Sequence, residues 1–420
     1  MCVIIVIINV TIVTIVDNRQ SCQSRQSRQS VNQPERGHVM WQGQISAVIM
    51  VGSAGESPQE QLVLAAQRAT ALDLIDTLRH QGIERIVVAA PTVDWLPNDL
   101  DVIRDMDKAD EPFHFGSRLA ALIERYDLEP VMYFGGGSAP LVDHSTSAMI
   151  AGLLDRAGIG GGGSIPSHIV LTNNLHSSDW AAISRVDAAL PIIRQINRDN
   201  SLAWLLQESG EYDVRVLAGV RPASSMDLDT PGDLALIAHH PDLLPHLRQV
   251  VSDERLNRVP VDAVLKVAAG EARTLALMGR VSPLALQALS RSMRCWTRVV
   301  AEERGMIAAG RLERGEVRSL LTPWIKARGV VGFFDDLAEM ADAAILDTRV
   351  LFAAQRRYPD AADRFASDLF WIDVIRDPWV RDFTRAAADA PLPIILGGHS
   401  VVAGGLYALA EIIQRRARPG

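Results

Sequence analysis

Apolar and polar positions along the chain fall into two regimes. From about Gln44 to His240, short unbroken apolar runs alternate with stretches in which apolar residues recur every three or four positions. The runs predict strands buried on both faces, and the stretches predict helices packed over them. ISAVIMV at 45–51 predicts a first strand feeding the small-residue loop GSAG, Leu72, Leu74, Ile75 and Leu78 mark a helix stopped at Gly82, and 84–90 predicts a second strand. This is one β-α-β unit. A short third strand is expected near Val102–Arg104, a helix in FGSRLAALIERY, a strand breaking into Gly135, Gly136 and Gly137, and a helix from Ser145 to Ala157. Further strands are expected in HIVLTNN and YDVRVLAGV, with a helical stretch, ALPIIRQINRDNSLAWLLQESG, between them. From Pro241 onward apolar residues keep helical spacing with Gly and Pro punctuation, which predicts an all-helical second domain over 241–420. Ahead of both, residues 2–16 form an apolar β-branched run shorter than a bilayer span, followed by the low-complexity RQSCQSRQSRQS. Residues 1–39 are expected to be a disordered extension or a misassigned start, with a short membrane anchor as the alternative, and the folded α/β region to occupy 40–240.

Composition narrows the functional classes. With 420 residues, 48% of them hydrophobic, the chain is long for one core. A net charge of -8 argues against a surface that coats nucleic acid. Lysine occurs only at 108, 266 and 326, so nearly every cation is arginine. The three cysteines, Cys2, Cys22 and Cys295, lack metal-thiolate spacing, which fits a reducing cytoplasm.

One decapeptide carries the clearest chemistry: Ser225-Met226-Asp227-Leu228-Asp229-Thr230-Pro231-Gly232-Asp233-Leu234. Thr230 and Pro231 read as N-cap and first residue of a helix, so Asp227 and Asp229 stand at the end of an extended run that meets a helix start. Two carboxylates there suit Mg²⁺ or Mn²⁺ beside a polyphosphate, because Mg²⁺ takes one or two carboxylates and completes its shell with phosphate and water. The same residues also suit an ordinary capped loop with solvated acids.

D-x-D-T-P-x-D-L closing an α/β segment resembles the end of the nucleotidyltransferase domain in the GT-A-like superfamily, notably the molybdenum cofactor guanylyl/cytidylyltransferases and phospholactate guanylyltransferases. The resemblance covers about Gln44 to His240. It implies a three-layer α/β/α domain with a mostly parallel sheet, and a transfer of NMP from an NTP to a small phosphorylated acceptor. It also implies that Asp227 and Asp229 hold the metal and carry the reaction. Gly52, Ser53, Ala54 and Gly55 match the phosphate loop, but the loop's cations are missing and Glu56 adds a negative charge. Gly136, Gly137 and Ser138, with Pro140 and Leu141, match a G-D-x-P-L segment in which Ser138 replaces the second metal-binding Asp, leaving Asp143 as a candidate helper. Asp94 lies at the expected carboxyl edge of the sheet. Thr172, Asn173, Asn174 and His176 offer directed hydrogen bonds to an acceptor, although such residues also form ordinary turns.

Other candidates are weaker. Arg194, Arg198 and Arg221 are sources of the missing positive charge, and the glycines at 158–163 a lid or a linker. Asp335, Glu339 and Asp342 share a helix face that suits a solvated surface better than a metal, and Gly397-Gly398-His399-Ser400 suits either a phosphate nest or close helix packing. The expected partners are a nucleotide and a phosphorylated small molecule, without nucleic acid or membrane. Two alternatives stay open: a nucleotide-sugar-dependent glycosyltransferase, and a non-catalytic nucleotide-binding or scaffold protein of the same fold.

Overall fold

The computed structural model describes residues 45–417 except 109–110, 159–167, 218–224 and 308, and no side chains at 156–158. The N-terminal extension, Arg221 and nearly all of the glycine-rich lid candidate therefore lie outside the described residues.

Seven strands form the first sheet: β1 (Ser46–Met50), β2 (Arg85–Ala90), β3 (Ile103–Met106), β4 (Val131–Gly135), β5 (Ile169–Thr172), β6 (Trp180–Ile183) and β7 (Asp213–Val216). Their order is β3-β2-β1-β4-β6-β5-β7. All pairings are parallel except those of β6, which runs antiparallel to both β4 and β5. Alternate residues of the central strands feed two cores. Ala47, Ile49, Val88 and Phe134 meet Leu74, Ile75 and Leu78 of helix Pro58–His80. Val48, Val87, Val131 and Tyr133 meet Leu119, Leu122 and Ile123 of helix Phe115–Tyr126 on the other face. With both faces covered, each position of a central strand is buried, and this is why the strands read as unbroken apolar runs. The expected three-layer α/β arrangement with a mostly parallel sheet is present.

β6 was not anticipated. Its four residues, WAAI, follow a polar loop and carry too short a pattern to register, yet the reversal matters. An antiparallel strand starts where its parallel neighbours end, so the residue entering β6, Asp179, arrives at the carboxyl edge of the sheet.

Beyond Pro241 the expected helices are present, but the absence of strands expected there is corrected. Four parallel strands, β8 (Thr274–Gly279), β9 (Trp296–Ala301), β10 (Ala343–Asp347) and β11 (Ile394–Gly397), form a second sheet in the order β11-β10-β8-β9. TLALMG and AAILD are continuous apolar runs joined to helical ones, and periodicity alone does not separate a buried parallel strand from a buried helix. Residues 41–420 make one compact unit. A shared core joins Met226, Leu228, Leu234 and Leu236 of the acidic segment to Leu275, Leu277, Ile345 and Ile395 of the second sheet and to Leu409 and Ile413 of helix Gly404–Ala417.

Candidate functional site

The acidic decapeptide is fixed to the first sheet through the loop after β4. Asp227 forms an isolated antiparallel bridge with Ser138, and the Leu228 N–H donates to the Gly137 carbonyl at 3.1 Å. Gln67 Nε2 donates to the Leu228 carbonyl at 3.1 Å. Gly137 has to be small here, because a Cβ would stand 3.0 Å from the Leu228 carbonyl and 3.3 Å from Asp227 Oδ1. On the other side, Pro231 opens helix Pro231–Ile237, and one oxygen of Asp233 accepts from the Asp229 N–H (3.2 Å), the Thr230 N–H (2.8 Å) and the Thr230 hydroxyl (2.9 Å). The helix start predicted from Thr230 and Pro231 is thus observed, and Asp233 holds the backbone that presents Asp229.

Asp227 and Asp229 interact electrostatically. Burial first, and then the charge of Asp229, pushes the Asp227 carboxyl well above the usual carboxylate range; burial also raises Asp229, against the pull of Asp227, Arg280 and Arg349. Asp229 nevertheless opens to solvent and is not sealed in a core.

Two further carboxylates join them: Asp179, from the polar run 172–179 expected to face an acceptor, and Asp199, which sequence reasoning missed. Asp179, at the start of β6, is pushed up to about 8 by burial and then by Asp229 and Asp199. Its Oδ2 accepts from Asn173 Nδ2 at 2.6 Å, and its N–H donates back to Asn173 Oδ1 at 3.1 Å. Asp199 is raised by burial and accepts from the Tyr133 hydroxyl at 3.3 Å. Both feel the charge of Asp229, and both in turn raise Asp227, so the acidic groups at this edge hold protons more tightly than free carboxylates do. No local signal marks Asp199; the polar run marks Asp179, and the antiparallel course of β6 brings it to this edge.

The other sequence candidates divide. Ser138 is buried next to Asp227, with its hydroxyl donating to the Gly135 carbonyl at 2.8 Å. Gly136 packs on the end of β1, where a Cβ would be 2.9 Å from Val51 Cα. Gly52 to Gly55 leave the same end of β1, but Glu60 closes that loop: its carboxylate bonds the Ser57 hydroxyl at 2.6 Å and lies where a Cβ on Gly55 would be, within 2.3 Å. The Thr172 hydroxyl donates to the Trp180 carbonyl, Asn174 caps a turn to the His176 N–H, and the His176 ring packs on Trp204. Asp94 is exposed in the turn after β2. Asp143 caps helix His144–Gly158 by accepting from Thr146 at 2.9 Å, which explains it without a metal. Arg194 pairs with Glu124 at the surface.

Among the described residues, no group of three or more His, Cys, Asp or Glu side chains converges tightly enough to hold a metal ion by itself. What fits a divalent cation is the Asp227–Asp229 pair, whose mutual repulsion a cation would relieve, with ligand phosphates and water completing the shell. A cleft of about 760 Å³ lies elsewhere, at the amino edge of the second sheet. Asp335, Glu339 and Asp342 line it with Lys266 and Arg273. Asp342 is engaged there by Arg273 and the Thr274 N–H, as a structural contact. No helix among the described residues is long and apolar enough to cross a membrane.

No family model and no curated sequence matches this chain. Among solved structures it is similar to the 2-C-methyl-D-erythritol 4-phosphate cytidylyltransferase of Thermus thermophilus, at 17% identity and a TM-score of 0.32 over 46% of this chain and 97% of that one. It is similar to a cytidylyltransferase of Leptospira borgpetersenii serovar Hardjo-bovis, at 12% identity and a TM-score of 0.33 over 51% of this chain and 94% of that one. A third is the bifunctional IspDF of Campylobacter jejuni, at 15% identity and a TM-score of 0.29 over 45% of this chain and 53% of that one.

Proposed function

We propose that the chain binds an NTP with Mg²⁺ or Mn²⁺ at Asp227 and Asp229 and transfers its NMP to a small phosphorylated acceptor. The observation that carries this is the Asp227–Asp229 segment tied, through the Ser138 bridge and the Leu228–Gly137 hydrogen bond, to the carboxyl edge of a mostly parallel sheet, where open α/β folds bind ligands. An acceptor phosphate oxygen attacks the α-phosphorus; a P–O bond forms there, the bond to the β-phosphate oxygen breaks, and its electron pair leaves with pyrophosphate. A bound divalent ion supplies charge stabilisation of the phosphates. The chain's own part is positioning. Asp233 holds the Asp229 backbone, Gly137 lets the Asp227 segment approach β4, and Asn173 orients Asp179 beside the pair. The Glu60 carboxylate at Gly55 favours a second reading, in which a nucleotide binds without turnover.

The test is a thermal-shift titration with CTP and GTP, each with and without Mg²⁺, followed by a pyrophosphate-release assay over a panel of sugar and alcohol phosphates. A shift that needs both nucleotide and metal, is lost in Asp227→Asn, and is accompanied by pyrophosphate release supports transfer. A metal-dependent shift without pyrophosphate leaves the second reading. No shift with any nucleotide refutes both.

A further inference from the structure

The carboxyl edge of the second sheet holds a cluster of cations that the proposed nucleotide site does not use. The strand order of this sheet reverses between β8 and β10: the chain passes from β8 outward to β9, then returns to the far side of β8 to lay down β10 and β11. Such a reversal opens a crevice between the two strand ends. Arg280 follows β8, and Asp347 ends β10. Arg280 grips Asp347 in a two-point ion pair at 2.6 and 3.0 Å, and the Arg280 and Arg349 N–H groups donate to the same carboxylate at 3.2 and 3.1 Å. Arg349 is buried and forks onto Asp368 at 2.9 and 2.5 Å. These two aspartates neutralise these two arginines.

Two arginines remain. Arg304, after β9, interacts with Arg280, and no acid among the described residues pairs with it. The nearby Glu302 is engaged by the Ser319 hydroxyl at 2.7 Å and the Leu320 N–H at 3.0 Å. Arg364 lies over the Tyr358 ring at 4.5 Å and interacts with Arg349; Asp360, which it also feels, is bound by Arg376. His399, which follows β11, has a buried Nε2 without a hydrogen-bond partner. Burial first and Arg280 second hold its imidazole down at about 4, so the ring is uncharged at neutral pH and offers a hydrogen bond. Surplus positive charge, an orphaned ring nitrogen and a strand-order reversal therefore coincide.

This crevice adjoins the acidic segment. A Cβ on Gly398 would stand 2.8 Å from Thr230 Cγ2 and 3.9 Å from Arg349 Nε, and Arg280 and Arg349 both act on Asp229. We infer that Arg280, Arg304 and His399 form a binding site for a phosphate monoester, and that the group bound there is the acceptor's phosphate, held beside Asp229. Only the second half of this statement rests on the proposed transfer reaction. Arg304 and the free N–H groups of Arg280 meet the phosphate oxygens, His399 Nε2 adds a hydrogen bond, and the buried Arg349 and Arg364 supply background potential.

The experiment uses the full chain and inorganic phosphate as probe, against chloride at matched ionic strength, with the thermal midpoint as readout. Arg304→Gln is the informative variant: it leaves no partner unpaired, whereas Arg280→Gln orphans Asp347 and unsettles the fold. Phosphate is expected to raise the wild-type midpoint saturably, and Arg304→Gln to weaken its apparent affinity at least tenfold while leaving any shift by Mg²⁺ with CTP or GTP intact. An equal response to phosphate in both proteins, or no response in either, overturns the site. Loss of the nucleotide shift in Arg304→Gln, with the phosphate response unchanged, assigns the arginine to the nucleotide and equally overturns it. A phosphate response that depends on Arg304 in a protein that ignores every nucleotide sustains the anion site, and the transfer reading falls instead.

Discussion

Gly232→Ala is the substitution whose outcome the structure fixes most firmly, because its sign is opposite to the usual one. Replacing a helical glycine by alanine ordinarily stabilises, by up to about 1 kcal/mol. At Gly232, in the first turn of helix Pro231–Ile237, the new Cβ would lie 2.5 Å from the Leu396 carbonyl oxygen and 3.1 Å from Gly397 Cα, both backbone atoms of β11. Side-chain carbons essentially never come nearer than 3.0 Å, so helix and strand have to part by roughly half an ångström or more, against a close-packed core. Overpacking of this kind costs about 1–3 kcal/mol. After a helical gain of up to about 1 kcal/mol is subtracted, a net loss of up to about 2 kcal/mol is expected, read as a lower urea midpoint with an unchanged slope. Gly52→Ala is the matched control: a Cβ there meets nothing within 4 Å, so its midpoint is expected to stay or rise slightly. The same displacement moves Asp229, and misplacement on the order of 1 Å can cost about a hundredfold in rate, so the nucleotide response falls with the stability. A Gly232→Ala protein as stable as wild type and fully responsive to nucleotide would show that contact with β11 does not position the acidic segment.

Other predictions follow from the charged groups. Asp227→Asn removes one member of a repelling pair, so its urea midpoint is expected to equal or exceed that of wild type while the metal-dependent nucleotide shift disappears; a large stability loss would show the carboxylate to be structural. Asp368→Asn leaves the buried Arg349 without its charge partner and is expected to cost about 3–5 kcal/mol in urea unfolding; a loss below about 1 kcal/mol contradicts the buried pair. Burial alone would raise the Asp105 carboxyl, but the Tyr126 hydroxyl at 2.6 Å, with Arg118 and Arg125, outweighs it and holds the group below its ordinary 3.8. The folded protein therefore binds this proton less readily than the unfolded chain. The resulting stability is full above that ordinary value and is lost as pH falls through the lower folded one. Urea midpoints of wild type and Asp105→Asn are expected to differ at pH 6 and to converge below about pH 4; a difference that stays constant with pH would refute the assignment.

Local chemistry was legible in the chain, and reversals of direction were not. Thr230, Pro231 and Asp233 announce a helix start because capping is a matter of four consecutive residues. The runs at β1, β2 and β4 announce buried strands because both of their faces are covered. TLALMG, between Gly270 and Pro283, and AAILD have the same character, but a short apolar run beside helical stretches does not declare itself strand or helix, and AAILD borders its neighbours without Gly or Pro. The candidate site was half legible for the same reason. Asp227 and Asp229 belong to one decapeptide, whereas Asp179 and Asp199 reach them only through the antiparallel β6. Arg280, Arg304 and His399 are separated by 24 and 95 positions, and only the order of the second sheet makes them neighbours.

The acidic segment belongs to the first half of the sequence but is walled by the second. Its Asp227 N–H donates to the Ser400 hydroxyl at 3.4 Å, Gly232 lies on Leu396 and Gly397, and Gly404 lies on Met226 so closely that a Cβ would come within 2.5 Å. A gene cut after His240 would encode every strand of the seven-stranded sheet, yet it would turn Met226, Leu228, Leu234 and Leu236 out toward water. The piece able to travel between proteins by recombination therefore has to carry both sheets, and the acidic segment grafted with the first sheet alone would arrive without the wall that keeps its carboxylates in place.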